Sequence, residues 1–212
     1  MAIDSDMIGI EVTVLTPFYY HSIPIAGGSA TITECLSDTA FNFALAFALG
    51  MMDGVCLPDT QDYRRDIGLM PFRCSMLLSN NAELLPAQVR RLNLDSEGGY
   101  SNRLYCGTSK GNRKDFYRVQ EINVGAIYRG AIFGMNPFKE FNQKSLIVRV
   151  GKHRQGIVEI KPITIPKKVV LNAFTAKVFG RDISMGKYLL HNMQQSIPMS
   201  PEDALLEVLL WN

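Results

Sequence analysis

The amino-acid sequence predicts an α+β fold, a β-sheet with packed helices, and three observations carry that prediction. Residues 8–15 alternate apolar and polar side chains and are rich in β-branched types. Phe41, Ala44, Leu45, Ala48 and Leu49 recur at helical spacing. Two alternating, β-branched arms, residues 146–150 and 155–165, flank a turn bounded by Gly151 and Gly156. With 212 residues, 47% of them apolar and 20% charged, the chain has a globular composition and is read as one domain, residues 1–212, with 95–118 inserted.

Each element has its own local warrant. Pro17 closes the opening strand, and after a Gly27-Gly28 loop Ser37 or Asp38 can cap a helix that Gly50 stops. Phe43 and Phe47 lie on the other flank of that helix, so it must be covered twice, by the sheet and by the carboxy-terminal helix or a partner. Residues 53–68 read as a polar stretch, and residues 72–78 as a strand with Pro71 at its edge. Residues 95–115 are dense in Gly, Ser and Asn with no apolar period, which predicts a long exposed loop or an irregular hairpin. Residues 116–133 predict a bent or broken strand, with Gly125 and Gly130 at bulges or close backbone approaches. Residues 188–194 and 204–210 close the chain as helical or strand-like segments. The order strand, helix, strand, hairpin is that of a ferredoxin-like (RRM-like) sheet with a long insertion and a glycine-bounded β-turn.

Charge is distributed unevenly. The first 63 residues carry eight acids and no Lys or Arg, and a net charge of +2 for the whole chain leaves the remainder at +10. Such asymmetry marks a polyanion-binding face or an acidic face turned to a basic neighbour. The amino terminus lacks the basic residues of a secretory peptide, and the longest apolar run, residues 43–52, is too short to span a membrane. A cytoplasmic protein without a membrane partner is expected. Cys35, Cys56, Cys74 and Cys106 form no C-x-x-C pair, so neither zinc nor a disulfide framework is signalled.

Catalytic signatures are weak. Gly180 and Gly186-Lys187 have five residues between the glycines and Tyr188 where a P-loop needs Ser or Thr. Gly125, Gly130 and Gly134 lack dinucleotide-binding spacing, and His21, His153 and His191 lack ligand spacing. No cofactor is expected and the protein is read as a non-enzyme. One nucleolytic route stays open, because a His beside a Tyr or Lys can cut RNA without metal. His21 follows Tyr19 and Tyr20, and His153 lies between Lys152 and Arg154.

Two basic clusters point to RNA. Arg103, Lys110, Arg113, Lys114 and Arg118 interleave with Tyr100, Tyr105, Phe116 and Tyr117, pairing charge for phosphate with rings for bases. A solvated loop with its rings folded onto the core has the same composition. Arg149, Lys152, His153 and Arg154 surround the turn VRVGKHRQG, where backbone amides and cations can meet a phosphate together. The candidate RNA-binding residues are therefore Arg103, Tyr105, Lys110, Arg113, Lys114, Tyr117 and Arg118 in the first cluster, with Arg149, Lys152, His153 and Arg154 in the second.

Three segments, VTVLTPFYYHS, NFALAFALG and VRVGKHRQG, give the chain a family likeness over about residues 8–161. It resembles the repeat-associated mysterious proteins of CRISPR systems, in particular the subunit that caps the five-prime handle of the guide RNA in type I, Cascade-like effector complexes, in its type I-D form. The resemblance implies a ferredoxin-like core, a thumb hairpin at residues 100–118, a glycine-rich RNA loop at residues 151–156, and no catalytic role. It also implies guide RNA (crRNA) and the backbone and large subunits of the effector complex as partners in defence against foreign DNA. The type I-C branch cleaves precursor RNA, so a metal-independent endoribonuclease stands as an alternative, beside contact with target DNA and a purely structural assembly role. Where the family shows Ser and a basic residue after the aromatic pair, this chain has His21, Ser22 and Ile23.

Overall fold

The structure, a computed structural model, describes residues 6–52, 62–93 and 114–211. The first half contains β1 (Met7–Val14), β2 (Ile23–Ile25), β3 (Gly28–Ala30), β4 (Cys35–Leu36), α1 (Asp38–Ala48), α2 (Tyr63–Gly68), β5 (Phe72–Cys74), β6 (Leu77–Leu78) and β7 (Gln88–Asn93). Then follow β8 (Lys114–Gln120), β9 (Ile127–Gly134), the single turn α3 (Pro137–Glu140), β10 (Leu146–Val150), a short 3-10 turn at Lys152–Arg154 and β11 (Gly156–Ile163). The chain closes with α4 (Ala173–Val178), the hairpin β12 (Met185–Leu190) and β13 (Met193–Ser196), and α5 (Pro201–Val208). Among the described residues no helix is long and apolar enough to cross a membrane.

The main sheet is antiparallel, in the order β10-β11-β1-β9-β6-β4, with β5 also paired to β9. In β1, alternation puts Ile10, Val12 and Val14 on one face, where they are fully buried against Phe41 and Leu45 of α1. Strand β9 is buried on both faces. Tyr128 and Ile132 join the α1 side, while Ala131 and Phe133 pack against Ala204 and Val208 of α5 and against Trp211. Helix α1 ends as expected, since Met51 N–H reaches Ala46 O and Gly50 N–H reaches Phe47 O, a Schellman closure around Gly50 at φ +69°.

Several expectations need correction. The second cover of α1 is α2, whose Tyr63 ring lies 6.2 Å from Phe43, whereas α5 lies behind β9. That helix lay within the segment read as polar, because Ile67 is its single buried residue. The strand expected at 72–78 is interrupted at Ser75, whose Oγ accepts from Ala131 N–H, and Gly130 is the close approach, since a Cβ there would sit 2.6 Å from that Oγ. Residues 116–133 are two strands in different sheets, separated by 121–126 with Gly125 at φ +83°.

A second sheet, β2-β3-β8-β7, holds the base of the insertion. Strands β7 and β8 pair antiparallel from Gln88↔Val119 to Asn93↔Lys114, so a hairpin arm begins seven residues before the expected start at 95. Strand β8 runs parallel to β3, with Gly28 opposite Arg118. The approach is so close that a Cβ on Gly28 would lie 1.7 Å from Arg118 O.

Candidate nucleic-acid interface

The site is built where the segment after β1 meets the β10–β11 turn. Phe18 is buried, and Gly151 and Gly156 lie directly over it: a Cβ on Gly151 would come 2.9 Å from Phe18 Cβ, and one on Gly156 would come 2.3 Å from the same atom. Only glycines permit this contact, which draws Lys152 N–H to Tyr19 O at 2.8 Å. Burial pushes the Tyr20 phenol up, and a hydrogen bond with the Gly151 backbone works against that rise. Between the glycines the chain turns through the left-handed region at both His153 (φ +56°) and Arg154 (φ +54°). That conformation costs about 1–2 kcal/mol per residue and projects both side chains to solvent.

Lys152 Nζ lies 2.6 Å from His21 Nε2, and His21 Nδ1 lies 2.7 Å from Ser29 Oγ. An ammonium has no lone pair, so Lys152 donates and Nε2 accepts. The ring proton then sits on Nδ1 and is donated to Ser29 Oγ, so this contact requires a neutral imidazole. Ser29 is on β3 opposite Val119 of β8, the neighbour of Arg118. The base of the insertion and the glycine-bounded turn are thus linked through His21.

The last contact comes from α1. The guanidinium carbon of Arg154 lies 3.7 Å from the centre of the Phe47 ring, a cation–π stack. The three segments VTVLTPFYYHS, NFALAFALG and VRVGKHRQG, far apart in the chain, therefore meet at one place.

The described cations divide into those that hold a carboxylate and those, Lys144, Lys167, Lys168 and Lys177 among them, that hold none. Arg65, Arg129, Lys161, Arg181 and Lys187 each hold a carboxylate at 2.5–3.0 Å. Among the described residues Arg118, Arg149, Lys152 and Arg154 hold none. Arg118 is exposed on β8 and Arg149 on β10. Of the other expected site residues, Lys114 and Tyr117 belong to β8, while Arg103, Tyr105, Lys110 and Arg113 lie outside the described residues. Sequence reasoning missed Phe47 and Ser29. Phe47 gave one signal, an aromatic ring on the flank of α1 away from the helical apolar stripe.

No protein-family model matches the chain, and no curated protein does.

Proposed function

We propose that this protein is a non-catalytic, cytoplasmic RNA-binding subunit of a CRISPR effector complex, holding the five-prime handle of the guide RNA and contacting the backbone and large subunits. The observation that carries the reading is the convergence of Lys152, His153 and Arg154 with the Phe18–His21 segment and Phe47, at a turn whose cations no described carboxylate neutralises. The fold supports it as well. The central strands run β11-β1-β9-β5, and α1 joins β1 to β5, which is the strand order of a ferredoxin-like sheet. The second crossover carries only α3 and β10 where that fold has a full helix. Strands β7 and β8 form the root of the proposed thumb.

Phosphate contacts by this turn require a salt-dependent affinity. In a filter-binding titration with single-stranded RNA, replacing Arg149, Lys152 and Arg154 by Ala should lower the log–log salt slope by about 2, at roughly 0.7 per contact. An unchanged slope sinks the assignment of this turn. The nuclease alternative needs His21 or His153 as a base; the Nε2 lone pair of His21 is taken up by Lys152, whereas His153 is exposed on the turn, so any cleavage should be tested in H153A as well as H21A. Precursor guide RNA should stay intact in EDTA and in magnesium.

A further inference from the structure

We infer that Phe47 and Arg154 together form a stacking platform for one base of single-stranded RNA, so that this turn reads a base as well as phosphate. The inference rests on the RNA-binding reading above. Phe47 is the last aromatic of α1 and is 37% exposed, an unusual state for a Phe on a helix whose Phe41 is 1% exposed. The Arg154 guanidinium stands over this ring, 3.7 Å from its centre. A guanidinium is planar, and because Arg154 is an exposed residue a base can reach the guanidinium that stands over Phe47. No described carboxylate competes for its N–H groups. Bases splayed from a single strand stack on such planes.

The backbone fixes the geometry. Arg154 and His153 both occupy the left-handed region, and Arg154 N–H is bonded back to Gly151 O at 3.1 Å. The glycines at both ends are wedged on Phe18. A free phosphate-seeking arginine needs no such support, whereas a stacking plane must be held at one angle. Lys152, two residues away in the same turn, is held by His21 and remains beside the platform for the adjoining phosphate.

The test uses the full chain and two probes, a riboadenosine decamer and the same ribose-phosphate backbone without bases, titrated by fluorescence anisotropy. Wild-type protein should prefer the decamer. R154K keeps the charge but loses the plane, and it should reduce that preference by about 5- to 150-fold, the range corresponding to 1–3 kcal/mol per stacked base. F47L should do the same, and R154K/F47L should fall no further than either alone, since the two residues act as one unit. A preference in R154K equal to that of wild type overturns the platform and leaves RNA binding standing, provided both probes bind with steep salt dependence. If wild-type protein binds neither probe, the RNA-binding reading falls and takes the platform with it. R154K changes only an exposed side chain, so it decides the matter even if F47L is poorly folded.

Discussion

Substituting Gly156 by Ala should unseat the candidate interface from the core. The new Cβ would stand 2.3 Å from Phe18 Cβ, 3.0 Å from Phe18 Cγ and 3.1 Å from Val150 O. Carbon–carbon contacts settle at about 3.5–4.0 Å, so more than about 1 Å of movement is required. The obstructing atom is fixed to the backbone, and no rotamer change can remove it. Phe18 is 1% exposed, so it has no open space to enter, and the segment 18–21 must shift as a unit. Such overpacking costs about 1–3 kcal/mol, and losing the Lys152 N–H to Tyr19 O bond adds about 1 kcal/mol. The sum, about 2–4 kcal/mol, lowers Tm by about 4–16 °C at roughly 2–4 °C per kcal/mol for a domain of this size. Scanning calorimetry measures it, and amide exchange at Lys152 should lose protection in the same variant. A Tm within 1 °C of wild type, with Lys152 still protected, would refute the wedge between the turn and Phe18.

Other consequences are open to measurement. Asp38 is fully buried, burial holds its carboxyl above the ordinary value of 3.8, and its Oδ2 has no partner. A raised acid favours folding below its unfolded pKa and loses that contribution as pH rises through its folded pKa, so the Tm of D38N relative to wild type should climb above about pH 4, and a flat difference would contradict the burial argument. Trp211 is 1% exposed, stacks on Phe179 at 5.7 Å and bonds Glu207, so W211A should cost about 3–5 kcal/mol in urea unfolding, and a loss under 1 kcal/mol would place it outside the core. Burial pushes the Cys35 thiol up to about 12 and Cys74 well above its ordinary value, so a C56S/C106S variant should react with a thiol reagent at pH 8 about a thousandfold more slowly when folded than in urea. Fast labelling of the folded variant would show that one of the two sites opens.

Elements that carry their own period could be read without the fold. The alternation of β1, the heptad-like spacing of α1 and the two arms β10 and β11 each specify an element within a dozen residues. The second sheet could not be read, because β2 and β3 are three residues long and β3 finds its partner some ninety positions away in β8. Helix α2 was hidden for a different reason, a single buried Ile67 in six residues. At the interface, the cations of VRVGKHRQG were visible by composition, and so was the turn that displays them. Their partners were not: His21 and Lys152 are separated by 131 positions, and the antiparallel pairing of β1 with β11 brings them within a hydrogen bond.

That separation has a consequence for biosynthesis. β1, made first, cannot pair on one side until β11 exists, and Thr16 waits 141 residues for its bond from Ile157 N–H. At about 5–20 residues per second, roughly 7–26 s pass between synthesis of His21 and of Lys152. Throughout that interval the edge of β1 that faces β11 is bare and the glycine-bounded turn of the candidate interface does not exist. The glycine-bounded turn is therefore the last part of the candidate interface to form, and it forms in the same event that closes the β11 edge of β1. Chains halted after residue 150 should leave the Leu15 and Thr16 amides, which bond Ile157 O, unprotected in pulse-labelled amide exchange, whereas chains reaching residue 163 should protect them.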